Sequence, residues 1–82
     1  MVSVEVVFPA IKRTYEFTLS RDAQIGILIG EMTELIAQTE KFAVMDNAEN
    51  FVLCDLDQNR VFSANSTLGS YDIKNGAKLM LI

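Results

Sequence analysis

The run Thr67-Leu68-Gly69-Ser70-Tyr71-Asp72-Ile73-Lys74-Asn75-Gly76, continued by Ala77-Lys78-Leu79-Met80-Leu81-Ile82, decides how this chain is read. Leu68, Tyr71 and Ile73 are spaced to pin a tight turn onto an apolar core. Lys74-Asn75-Gly76 then reads as a turn, because Asn-Gly accepts positive φ at low steric cost. Ala77 to Ile82 follows as a closing strand.

Just upstream, Phe51 to Leu56 reads as a strand, Asp57-Gln58-Asn59 as a turn and Arg60 to Ser63 as a short strand. Asn65-Ser66-Thr67 is irregular, and Lys41 to Asn50 is a linking loop with a turn at Asp46-Asn47. Before that loop the apolar period is helical. Ile25, Leu28, Ile29, Met32, Leu35 and Ile36 form one stripe. The spacing predicts a helix from about Ala23 to Gln38 or Thr39, with Ser20 or Asp22 as its cap.

The first nineteen residues alternate instead. Val4, Val6 and Phe8 share one face of a strand from Val2 to Phe8, and Pro9 ends it because it cannot donate to a ladder. Lys12-Arg13 reads as a hairpin tip. Thr14 to Leu19 returns with Tyr15, Phe17 and Leu19 inward. The order is therefore β-β-α-β-β-β. One amphipathic helix has one stripe to bury, and a sheet offers one face to bury it against.

The 82 residues make one domain, expected to span 1–82 without internal repeat or linker. Half the residues are apolar and only one is proline, which argues against disorder. With seven Lys and Arg and a net charge of -4, the chain lacks the clustered cations that nucleic acid or anionic lipid would need. Cys54 is the single cysteine, so no disulfide closes within the chain; this favours a reducing compartment. Ser3, Glu5 and Pro9 interrupt the N-terminus as a signal peptide, and Ile25 to Ile29 is far too short to span a bilayer. A cytoplasmic location is the expectation. Asn65-Ser66-Thr67 fits a glycosylation acceptor, but the bland reading of a loop is preferred without a secretion signal.

Little catalytic chemistry is on offer. There is no histidine, so Cys-His and Ser-His pairs are impossible. Cys54 lies in an apolar run without a neighbouring cation and reads as structural. Asp55, Asp57 and Asn59 begin like a calcium loop, but Arg60 stands where glycine is needed and Ser66 where a bidentate glutamate is needed. A turn is the simpler reading. No metal, cofactor or enzymatic role is expected.

The order and lengths resemble ubiquitin and the wider β-grasp group, in which a Thr-Leu-x-x-Tyr-x-Ile segment similarly precedes the last strand; here it is Thr67 to Ile73. A narrower resemblance is to the YukD/EsaB family of small bacterial ubiquitin-like proteins associated with type VII secretion. It rests on Arg60-Val61-Phe62-Ser63, Leu68, the Ile73-x-Asn75-Gly76 turn and the abrupt end after the last strand. The resemblance implies an α+β ubiquitin-like β-grasp: a mixed sheet with one helix packed on one face. It also implies an accessory role at a secretion machine, beside a membrane-embedded or motor component, with recruitment to the inner face of the membrane through that partner.

Ubiquitin and the sulfur carriers end in Gly-Gly, whereas this sequence ends Leu79-Met80-Leu81-Ile82. The expectation is a non-conjugated adaptor acting by protein binding. A generic ubiquitin-like interaction domain from another system is the alternative; a sulfur carrier or modifier lacking its tail is the remote one.

By likeness to ubiquitin-like proteins, Leu79 and Leu81 point inward and the sheet face away from the helix is the interaction surface. Met80, Ile82 and Val7 then point outward beside Lys78, joined by either Leu53 or Cys54, since the parity of that strand is not readable. A second candidate lies on the helix, where Ile27 projects beside Gly26 and Gly30. Two glycines in a helix ask for a packing reason: a loop crossing nearby, a partner, or a weak homodimer.

Overall fold

The computed structural model describes residues 1–40 and 51–82, so the expected loop at 41–50 lies outside the described residues. The strands are β1 (Val2–Phe8), β2 (Arg13–Leu19), β3 (Leu53–Asp55), β4 (Arg60–Val61) and β5 (Ala77–Leu81), with the helix α1 (Ile25–Glu40) after β2. Short 3-10 turns occupy Pro9–Ile11 and Gly69–Tyr71. The sheet runs β2-β1-β5-β3-β4. β1 and β5 pair in parallel, and the other neighbours are antiparallel. This is the mixed β-grasp sheet with one helix on one face.

Alternation fixes which face is covered. Val2, Val4, Val6 and Phe8 of β1 are buried, as are Leu53 of β3 and Leu79 and Leu81 of β5. Ile25, Leu28, Ile29, Met32 and Ile36 of α1 are buried too. Leu68 and Ile73 close the same core beside Phe62. Burying a side chain of this size stabilises by about 1.5–3 kcal/mol.

Several expectations need correction. Leu35 belongs to the apolar stripe by spacing yet is 51% exposed. It sits on the flank of α1 facing β2, and β2 is the outermost strand on that side. Thr33 is buried in its stead, its hydroxyl donating to the Gly30 carbonyl at 3.0 Å. For the same reason Tyr15 and Phe17 are only half-buried, although their direction along β2 is as expected. β3 and β4 are shorter than the runs Phe51 to Leu56 and Arg60 to Ser63.

The helix begins at Ile25, two residues later than expected, and its first amides are taken by backbone carbonyls of Ser66, Ala64 and Gln24 and not by Ser20 or Asp22. The Ser20 hydroxyl instead accepts the Asp22 N–H at 3.3 Å. The first free amides of α1 find carbonyls in a distant loop: Ile25 N–H donates to Ser66 at 2.8 Å and Gly26 N–H to Ala64 at 2.9 Å. Orphan donors at a helix start must be satisfied somewhere, and here the partner is non-local. That loop is anchored in turn. The Tyr71 phenol oxygen accepts the Ser63 N–H at 3.0 Å, and Thr67 and Ser70 exchange backbone-to-hydroxyl bonds. The Thr67–Ile73 segment thus fastens the helix start to the sheet.

The Lys74–Gly76 turn forms as expected, with Gly76 at φ +89°. Its residues tie back to β1: Ser3 N–H donates to the Asn75 side-chain oxygen at 2.9 Å, and Gly76 N–H to the Ser3 carbonyl at 2.8 Å. That pair of bonds sets the register in which β5 enters beside β1.

Candidate functional site

The face of the sheet turned away from α1 carries a row of aligned residues across all five strands. Thr14 pairs with Val7, Val7 with Met80, Met80 with Cys54 and Cys54 with Val61. Directly opposed side chains share a face and lie in contact range. Val7, Met80 and Cys54 are half-buried in the middle of the row, and Val61 at its end is 64% exposed.

The rows on either side extend the apolar surface. Val52 and Ile82 exchange backbone bonds at 2.6 and 2.9 Å, which places them side by side; Ile82 is 52% exposed. Leu56 N–H donates to the Lys78 carbonyl at 2.9 Å, setting exposed Leu56 next to exposed Lys78. The half of the face built from β5, β3 and β4 therefore presents Val52, Cys54, Leu56, Val61, Met80 and Ile82. The half built from β1 and β2 presents Ser3, Glu5, Thr14, Glu16 and Thr18, with only Val7 apolar.

This resolves the sequence alternatives. Leu53 lies in the core and leaves the patch; Cys54 is the residue of β3 that faces outward. Val7, Cys54, Met80, Ile82 and Lys78 come together on the one face. Val61, Val52 and Leu56 join them on that face beyond the sequence candidates. Val61 had a signal: Phe62 beside it is the obvious inward residue of a short strand, so Val61 must face out. Val52 and Leu56 follow only once the parity of β3 is fixed.

The helix candidate is built differently. Ile27 is exposed, and a Cβ on Gly26 would meet the Ala64 carbonyl oxygen at 3.3 Å. The close approach at Gly26 is therefore to the loop of the same chain that caps the helix. A Cβ on Gly30 would meet nothing within 4 Å, and nothing in the structure explains that glycine.

Beneath the rim of the apolar half, polar groups gather around Asp55 and Arg60, and the buried Arg60 Nε makes an ion-pair contact without a hydrogen bond. Asp55 is buried, with one carboxylate oxygen accepting the Asp57 and Gln58 N–H groups at 3.0 and 3.3 Å. Its other oxygen lies 3.5 Å from Arg60 Nε. Asp57 accepts the Lys78 N–H at 3.2 Å. These carboxylates cap a turn and a strand; among the described residues no three metal-binding side chains converge. Arg60 donates to the Tyr71 carbonyl at 2.8 Å and lies over the rings of Tyr71 and Phe62 at 4.9 and 5.8 Å. The Ser63 N–H and the Ser66 side chain both hydrogen-bond the Tyr71 phenol, and with the Arg60 charge they hold it below the ordinary tyrosine range. The arrangement is a brace for β4, which carries Val61.

Comparison with known proteins decides the family. The sequence model of YukD, described as protein YukD of the WXG100 protein secretion system, matches residues 1–81. The chain belongs to the YukD family. A search of curated proteins finds no match to this YukD-family chain. Among solved structures, it is similar to the ubiquitin of Caldiarchaeum subterraneum, with 18% identity and a TM-score of 0.70 over 99% of this chain and 90% of that one. It is similar also to a ubiquitin-like domain of an Arabidopsis thaliana protein, with 13% identity and a TM-score of 0.73 over 99% of this chain and 74% of the other. A third, an N-terminal ubiquitin-like domain solved in solution, gives 16% identity and a TM-score of 0.75 over 99% and 72%. Identities this low carry the ubiquitin-like fold alone. No helix of the YukD-family chain, among the described residues, is long and apolar enough to cross a membrane.

Proposed function

We propose that this chain is a ubiquitin-like adaptor of the WXG100 secretion system that works by holding a protein component on the apolar half of its outer sheet face. The observation that carries the reading is the aligned row Val7–Met80–Cys54–Val61, widened by Val52 and Ile82. A contiguous exposed apolar surface with a charged margin is what partner sites on small proteins look like. The partner class is a membrane-embedded or motor protein of the system, which brings the chain to the inner face of the membrane from the cytoplasm. Binding, and not conjugation or catalysis, is the proposed mode of action.

Substitution tests it. Met80→Asp and Val61→Asp place a charge in the patch without touching the core, so both variants keep their unfolding midpoint within a few degrees. Pull-down of the secretion-system components falls about tenfold or more, the cost expected when an unpaired charge enters a desolvated interface. Undiminished capture by both folded variants would remove the patch from consideration.

A further inference from the structure

The flank of the molecule where Leu35 is exposed carries a second surface, separate from the apolar half of the outer face. β2 is an outermost strand, and it is a long one. Its seven residues pair in unbroken register with β1, without bulge or proline. The opposite outer strand, β4, has two residues. Proteins guard exposed edges with short strands, proline, bulges or lysine, because an open row of amides and carbonyls will pair with any extended chain. Glu16–Leu19 of β2 have no such guard except the charge of Glu16, and among the described strands they have a neighbour on one side only.

Beside this edge, between β2 and α1, a groove of 170 Å³ is lined by Met1, Phe17, Leu19, Leu28, Met32 and Leu35. Met1 is 81% exposed and Leu35 about half. An added strand would direct alternate side chains into that groove and the others over the outer face.

Charge selects the occupant. Glu16 is the middle residue of β2 and already stands opposite Glu5. Glu31 and Glu34 line the helix side of the same flank, next to Leu35. Arg21 follows the end of the strand and lies beyond this acidic stretch. A second copy of the chain, paired antiparallel about the strand centre, would set Glu16 against Glu16, and like charges directly opposite are unfavourable. A strand carrying lysine or arginine meets the reverse situation.

We propose that the Glu16–Leu19 edge and the adjoining groove accept an extended segment of a partner protein in which apolar residues alternate with basic ones, added to the sheet as a further strand. Main-chain bonds to β2 supply affinity, Leu35 and Phe17 receive the apolar side chains, and Glu16 reads the basic ones.

The test is a titration of the full chain, followed by backbone-amide and methyl NMR. The probes are a blocked six-residue peptide alternating valine and lysine, its glutamate counterpart, and a version N-methylated at alternate backbone positions. The valine–lysine peptide moves the amides of Glu16–Leu19 and the Leu35 methyls; the other two bind about tenfold more weakly. Leu35→Ser, at an exposed position, keeps the spectrum of a folded protein and weakens the lysine peptide several-fold. Glu16→Lys reverses the preference between the charged peptides, and Met80→Asp leaves the affinity for each peptide as it was. Equal binding of the N-methylated peptide, no reversal in Glu16→Lys, or shifts confined to Met80 and Val61 would overturn the proposal. So would concentration-dependent shifts of the same β2 amides without peptide, which would make a second copy the occupant.

Discussion

The two halves of the outer sheet face come from one continuous ladder and differ in almost everything else. On β1 and β2 the outward positions are Ser3, Glu5, Thr14, Glu16 and Thr18, and the central cross-strand pair is Glu5 with Glu16. On β5, β3 and β4 they are Val52, Cys54, Leu56, Val61, Met80 and Ile82. Backbone pairing cannot account for the contrast, since both halves satisfy it equally. Half a face kept polar and half kept apolar is a division of labour. The polar half can stay in water without cost, whereas the apolar half stays costly until something covers it. Val7, on β1, is the one apolar residue of the polar side, and it borders Met80.

The largest effect that sharpens this contrast separates neighbouring residues of β3. Leu53→Ala opens a core cavity and lowers stability by about 2–5 kcal/mol. Cys54→Ala, one residue on and facing outward, costs well under half of that. Urea unfolding of the pair is the measurement; equal losses would mean that the outward assignment of β3, and with it the patch, is wrong.

A smaller effect probes the polar half. Glu16→Lys converts a like-charge pair with Glu5 into an opposite-charge pair, a gain of about 0.2–1 kcal/mol at low salt that fades as ionic strength rises. A change in stability that is the same at low and high salt would contradict the facing of Glu5 and Glu16 on the polar half.

The smallest effect concerns the brace under Val61. The Tyr71 phenol titrates below its unfolded value because the phenolate gains from the Ser63 N–H, the Ser66 side chain and Arg60. The folded state therefore releases this proton before the unfolded state does, and the contribution grows as pH rises through the folded value towards the ordinary one, disappearing as pH falls back. The stability gap between the native protein and Tyr71→Phe is expected to widen from about pH 7 to about pH 10. A gap that stays constant or narrows contradicts the assignment.

How much of this was legible in the sequence depends on whether the deciding contact is local. Alternation in Val2–Phe8 and the period of Ile25–Ile36 are local, and both elements were found. The spacing of Leu68, Tyr71 and Ile73 is that of a pinned turn, and they form one. Leu35 was misplaced because a helical stripe says which residues could be covered, and only the sheet order says where the cover ends. The cap was misread because the partners of the Ile25 and Gly26 amides lie some forty residues away, in Ala64 and Ser66. The parity of β3 hung on its register with β5, which no spacing within β3 reveals. Once Leu53↔Leu81 is known, Val52, Cys54 and Leu56 turn outward together.

The most direct test of the binding half is photo-crosslinking in cells that carry an intact secretion system. A photoreactive residue is placed at Val61 in one strain and at Glu5 in another, two exposed positions on the same face. The prediction is a discrete adduct with a component of the WXG100 secretion system from Val61 and little or none from Glu5. Adducts of equal yield from both positions, or an adduct from Glu5 alone, would contradict the claim that the apolar half is where this chain is held.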